Sequence, residues 1–306
     1  MERDERGDDR GGDWQCAGLR WEASGPSLVW RHAVRGERLS PMPPGRTLAF
    51  TTGSRRCCAG VRRAGRHTPC PAGAGVPAPA LSAQCAECAR LDRSHSVAAD
   101  TAADDPRPYD VYLAWFGPGL LKVGITASER EGRRLLEQAA LSYALLGRGP
   151  LMAARRAEAV LGAALAVPDR VPYAAKRAAR HPLPPQEVRT AALAELHEHA
   201  RHLPGLPESL TVAAFAPVHH DAAFHLDRIR TVHRAVALTA GCTVAGRVVA
   251  VAGPDVHLDA ADGRPLLVDT RQLAGWPLTA AAPDAPTTAA EVPAGNAPPP
   301  EPEALF

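Results

Sequence analysis

The stretch PYDVYLAWFGPGLLKVGIT, residues 108–126, decides the fold. Its first half, DVYLAWF, is rich in β-branched and aromatic side chains, the residues that suit a pleated, half-buried surface. Gly117-Pro118-Gly119 is a turn signal, after which LLKVGIT resumes an apolar run. The two halves read as a β-hairpin with a loop of about three residues. Downstream, Leu135, Leu136, Ala139, Tyr143 and Leu146 recur at helical spacing and predict a helix over 128–146, stopped by Gly147 and Gly149. Pro150 then stands where a helix tolerates proline, at the start of a second helix over 150–166.

Upstream of the hairpin lies RRCCAGVRRAGRHTPCPAGAGVPAPALSAQCAECARLD, residues 55–92. Cys85 and Cys88 form a CxxC pair, which a tight turn can bring to one metal ion. Cys70 and one of Cys57 and Cys58 complete a four-thiolate set for Zn2+. Four thiolates leave no open coordination position, so the expected role of the metal is structural. Such a site supplies on the order of 10 kcal/mol of folding free energy, enough to order a loop rich in glycine and proline. Arg55, Arg56, Arg62, Arg63, Arg66 and His67 would then form a presented basic surface. Cys16 and Cys242 sit in strand-like runs and read as buried small apolar residues.

Further out, residues 1–12 read as a charged, disordered tail and 13–54 as a β-region of short strands separated by Gly25-Pro26 and SPMPPG. The cysteine region covers 55–93, a polar, acidic linker 94–108, and an α/β core with a helical extension 109–204. In that extension YAAKRAAR suggests a short basic helix, and QEVRTAALAELHEHARH another. Residues 205–278 read as a C-terminal β-region, with Asp262-Gly263 a hairpin turn and pairing to the N-terminal strands expected. The Ala/Pro/Thr-rich residues 279–306 read as a disordered tail.

The 306 residues are 45% hydrophobic and 22% charged, with a net charge of +2. That balance is globular and does not require a polyanionic partner, so any nucleic-acid contact must come from a local patch. No apolar run is long enough to span a membrane, and the charged N-terminus is unlike a signal peptide, so a cytoplasmic location is expected. Arginine far exceeds lysine, as in high-GC bacterial coding. His197, His199, His202, His219 and His220 show no metal-binding spacing and read as surface or satisfied histidines.

VYLAWFGPGLLKVGIT followed by an arginine-bearing helix resembles the core of the GIY-YIG nuclease superfamily. More narrowly, the cysteine cluster followed by LKVGIT and EQAA resembles an uncharacterised bacterial family, domain of unknown function 2797. The resemblance implies an α+β fold: a GIY-YIG-like small mixed sheet with flanking helices, preceded by a zinc-binding loop region and flanked by short β-strand regions. It also implies a site in which tyrosines, an arginine and a metal-binding glutamate surround a scissile phosphate of DNA or RNA. On this sequence Tyr112 matches the first tyrosine, and Lys122 occupies the position of the second. Arg134 matches the arginine, with Arg133 and Arg130 as rivals, and Glu158 matches the ligand of Mg2+ or Mn2+. Asp110 stands where the first half-motif has glycine.

The residues themselves carry that chemistry only in part. Arginine offers a bidentate fork to phosphate, and Arg130 and Arg134 share one helical face. Glu158 reads either as a metal ligand or as an ion-pair partner of Arg155 or Arg134, and Tyr112 either as a reactive hydroxyl or as a packed strand residue. The expected function is a zinc-containing nucleic-acid-binding protein with divalent-metal-dependent phosphodiesterase activity. The alternative is a non-catalytic zinc-stabilised module that binds nucleic acid or protein.

Overall fold

The structure, a computed structural model, describes residues 14–32, 34–63, 66–93, 105–168, 170–230 and 234–294. The tail expected over 1–12 and most of the expected linker lie outside these residues, as does the side chain of Arg63.

The chain opens with a three-stranded antiparallel sheet, β1 (Gln15–Glu22), β2 (Gly25–His32) and β3 (Gly36–Pro41). β4 (Thr47–Thr52) leaves it for a second sheet. The cysteine region follows, with a minimal hairpin of β5 (Val61–Arg63) and β6 (Arg66–Thr68) and a short helix, α1 (Ala86–Arg93).

The decisive hairpin is β7 (Pro108–Gly117) and β8 (Leu120–Ala127), closed at Pro118-Gly119 with Tyr112 opposite Gly124. The helix expected over 128–146 is not formed. A 3-10 turn at Ser128–Arg130 leads to a five-residue helix, α2 (Arg133–Glu137), and then to a strand, β9 (Ser142–Pro150). Ala139 adopts a left-handed φ of 60°, which ends the helix. Tyr143 and Leu146 therefore lie on a strand, and β9 pairs along the free edge of β7. A strand there satisfies the backbone groups of buried β7, which a helix could not do.

α3 (Leu151–Ala164) forms as expected. α4 (Tyr173–Ala178) and α5 (Gln186–Arg201) follow, then the short strands β10 (Thr211–Val212) and β11 (Pro217–His219), both on β9. The expected small mixed sheet is thus a five-stranded sheet whose pairings are all antiparallel. YAAKRAAR is helical but is no basic surface, because Lys176 and Arg180 are buried.

After α6 (Asp221–Phe224) come β12 (Arg234–Ala237), β13 (Thr243–Ala252), β14 (Asp255–Asp259), β15 (Pro265–Asp269), α7 (Thr270–Leu273), β16 (Leu278–Ala280) and β17 (Ala290–Pro293). With β4 they make a seven-stranded sheet ordered β16-β4-β13-β14-β15-β12-β17. The N- and C-terminal β-regions therefore pair through β4 and β13. The disordered tail expected from 279 onward is overturned as far as 294: Ala289 is buried, Thr288 is bonded to Thr243, and β17 pairs with β12.

One core joins these layers, running from Trp21 and Leu28 through Val111 and Leu113 to Val244 and Val256. Its extent explains how a chain so rich in alanine folds. Burial of apolar area stabilises by roughly 25 cal/mol per Å2, and alanines contribute once large partners close over them.

Candidate functional site

Cys58, Cys70, Cys85 and Cys88 converge, with their sulfur atoms all within 4.8 Å of one another. Cys57 is excluded from the set. Its backbone bridges Gly75 and bonds to Gly275, which commits the residue to the strand-like edge of the loop. Cys70 Sγ and Cys85 Sγ are 3.9 Å apart, far beyond a disulfide bond and close to the spacing of about 3.8 Å that two sulfurs adopt on tetrahedral zinc.

Local backbone prepares the donors. The N–H groups of Gly60 and Cys85 donate to Cys58 Sγ at 3.4 and 3.2 Å. Gly60 can turn its N–H inward because it holds a left-handed φ of 71°. The N–H of Ala74, and after it that of Ala72, bring the Cys70 thiol down to about 7. Burial and crowding by the other three sulfurs push Cys88 up. A metal cation is what allows four such groups to be thiolates together. Val61 and Val76 complete the small apolar cluster around the cysteines.

Arg56, expected on a basic surface, is buried. Its guanidinium donates to the carbonyls of Ala274, Pro77, Ala78, Ala80 and Arg271, and so fastens the cysteine loop to the segment after β15. Arg62 and Arg66 are exposed, and His67 bonds the Ala59 carbonyl.

A second constellation lies where β7, β8, α2 and α3 meet. Gln138 Nε2 donates to Tyr112 Oη at 3.0 Å, and Lys122 Nζ donates to Gln138 Oε1 at 3.4 Å. The Tyr112 ring lies across β8, and a Cβ at Gly124 would collide with its phenol. Burial raises the Tyr112 pKa, while the Gln138 hydrogen bond and the charges of Arg134 and Arg130 lower it and Glu158 raises it. Arg134, Arg130 and Glu158 thus act electrostatically on the Tyr112 hydroxyl, and Lys122 reaches it through Gln138. Arg130 is bidentate on Glu137 at 2.6 and 2.7 Å, and Arg134 lies 3.9 Å from the same carboxylate. Arg133 turns back to the Arg130 carbonyl and toward Glu22 on β1. Asp110, at the glycine position of the half-motif, is held by Arg148 and Ser128.

Gln138 and Lys176 were not singled out by sequence reasoning. The signal for Lys176 is compositional: Lys122 and Lys176 are the only lysines in the sequence. Both bond Gln138, Lys122 at its side chain and Lys176 at its carbonyl, 2.8 Å away. Burial, and after it the nearby charge of Lys122, brings the Lys176 amine down to about 7. It rests over the rings of Phe116 and Tyr173.

A family model described as protein of unknown function (DUF2797) matches residues 45–278 of the 306. The chain belongs to that family. The match takes in the DUF2797 cysteine cluster, the hairpin and strands β4 and β12 to β15 of the seven-stranded sheet. No curated protein and no solved structure matches the DUF2797 chain. Among its described residues, no helix is long and apolar enough to cross a membrane.

Proposed function

We propose that this chain is a zinc-stiffened nucleic-acid-binding protein whose GIY-YIG-like core cleaves phosphodiester bonds with a divalent cation. The observation that carries the reading is the hydrogen-bonded chain from Tyr112 through Gln138 to Lys122, with the charges of Arg134 and Glu158 acting on the same phenol. The cysteine site takes Zn2+ as a structural ion, because four thiolates fill its tetrahedron.

Each side chain has a role suited to its surroundings. Tyr112 stays protonated at neutral pH because burial raises its pKa, so it orients a water or a phosphate oxygen. Arg134 pairs with phosphate oxygens through its fork. Lys122 adds a point charge on the same side. Glu158 would hold Mg2+ or Mn2+, and one carboxylate is enough for an ion that completes its shell with water and substrate phosphate. That ion supplies charge stabilisation for the leaving oxygen. Arg62, Arg63, Arg66, Arg130 and Arg133 are the proposed backbone contacts, and their binding should weaken steeply with salt.

A non-catalytic binding module is the second reading. It is favoured by Lys122 in place of a second tyrosine and by the depth of Tyr112, which is 2% exposed. Incubation of DNA and RNA with Mg2+ or Mn2+ separates the two. Cleavage that requires the metal and drops at least 100-fold in both Glu158→Ala and Arg134→Ala supports the nuclease. Metal-independent cleavage, or cleavage that survives both changes, overturns it.

A further inference from the structure

A cavity of about 400 Å3 opens between the first sheet and the edge of the second. Its floor is apolar, formed by Met42, Leu48, Phe50 and Leu278. Its wall is aromatic and cationic. Trp30 on β2 faces Arg38 on β3 across the ladder, and the Arg38 guanidinium lies 5.6 Å from the Trp30 ring and 4.4 Å from that of Trp14. Trp30 Nε1 donates to Ser40 Oγ, which fixes the indole plane. Arg46 lines the mouth from the turn before β4. Among the described residues, neither Arg38 nor Arg46 has a carboxylate partner, and no acidic side chain lines the cavity.

Arg20 and Arg31, on the same sheet, are by contrast paired with Glu37. Two cations without anions, beside two half-buried indoles and an apolar floor, complement a flat ring that carries negative charge. Bases stack on aromatic faces and on guanidinium planes, and phosphate pairs with arginine. The cavity is also set apart from the candidate active site. Trp14 precedes β1, whereas Glu22, which reaches Arg133 of α2, ends it. The strand between them spans on the order of 20 Å.

We infer that this cavity is a stacking pocket for one nucleotide of a single strand, with the base against the Trp14–Arg38–Trp30 wall and the phosphate on Arg46. The inference rests on the nucleic-acid reading above and adds to it a second, single-strand contact remote from the phosphodiester site.

Intrinsic fluorescence offers a direct probe. Trp21, Trp115 and Trp276 are buried, so Trp14 and Trp30 are the indoles a ligand can reach. Titration of the full chain with an eight-nucleotide oligothymidylate or oligouridylate should quench emission. Trp14→Ala and Arg46→Ala should each weaken binding roughly 10-fold, and Arg46→Ala should lower the salt slope by about 0.7, one phosphate contact. Arg46 is exposed, so that variant keeps the test valid if Trp14→Ala fails to fold. Thymidine 5′-monophosphate binding as tightly as the oligomer would overturn the single-strand assignment. Quenching by laurate but by neither oligomer would make the pocket an acyl site and overturn it too. Oligomer binding unchanged in both pocket variants would remove the pocket while leaving the nuclease reading intact. Loss in the pocket variants, with cleavage unaffected in Glu158→Ala and Arg134→Ala, would keep the pocket and remove the nuclease reading.

Discussion

Gly124 shows how one missing side chain can set a site. The strand pairing puts it opposite Tyr112, whose ring occupies the space that a Cβ would fill. Gly124→Ala should displace the phenol from Gln138, destabilise the fold by about 1–3 kcal/mol, and lower any cleavage as far as Tyr112→Phe does. A thermal melt beside an activity assay checks this, and an alanine variant as stable and active as the parent would refute the close approach. Arg56 is the opposite case, a charge that buries itself. Arg56→Ala strands five carbonyls and should cost about 3 kcal/mol or more, readable as a lowered denaturant midpoint. From the sequence, Arg56 was indistinguishable from its exposed neighbours Arg55 and Arg62. Charge type is legible in a sequence, but two of the carbonyls that gather around this guanidinium, those of Arg271 and Ala274, come from positions more than 200 residues away.

At the scale of elements, the cysteine loop and the segment after β8 make a contrast. The loop has only a small apolar cluster of its own, and an ion held by its four cysteines would supply the missing order. The protein should purify with about one zinc per chain. Cys85→Ser with Cys88→Ser should lose that zinc by elemental analysis and make residues 55–93 sensitive to protease, and a metal-free protein equally resistant would refute the site. The CxxC spacing announced this element because its chemistry is local. Residues 142–146 form a strand where their spacing predicts the end of a helix, because the apolar pattern there fits both. Ala139, Tyr143 and Leu146 recur at helical spacing, yet SYALLGRGP alternates well enough to line a sheet. Buried β7 needs a neighbour for its backbone, and that requirement outweighs the intrinsic helix preference of the segment. Glu158 was placed on the correct helix, α3, because Pro150 and the alanine-rich run after it signal that helix locally.

Across the whole molecule, α4 is joined to the seven-stranded sheet by a buried charge network. Arg177 is bidentate on Asp255 and also bonds Asp269, while Arg180 donates to Asp255 and to the neutral His257 ring. Burial, and then the adjacent arginines, hold His257 down at about 3. Burial opposes the Asp255 charge, but Arg180 and Arg177 outweigh it and bring Asp255 to about 2. Both groups stay unprotonated in the folded chain at pH values where the unfolded chain takes up protons. Stability should therefore fall as pH drops below about 6.5, at up to about 1.4 kcal/mol per unit from His257, with Asp255 adding to the loss below about 4. Urea midpoints between pH 7 and 4 test this, and His257→Gln should flatten the slope. A parent protein with level stability over that range would contradict the buried neutral imidazole. The sequence alone determined what depends on neighbours along the chain: the β7–β8 hairpin, helices α3 and α5, the Cys85/Cys88 spacing and the Asp262-Gly263 turn. Tertiary structure alone decided which of Cys57 and Cys58 joins the cluster, that β4 crosses into the C-terminal sheet, and that Tyr112, Gln138 and both lysines meet. Turn chemistry and periodicity act over a few residues, whereas these outcomes depend on which distant segment supplies the missing hydrogen bond, sulfur or countercharge.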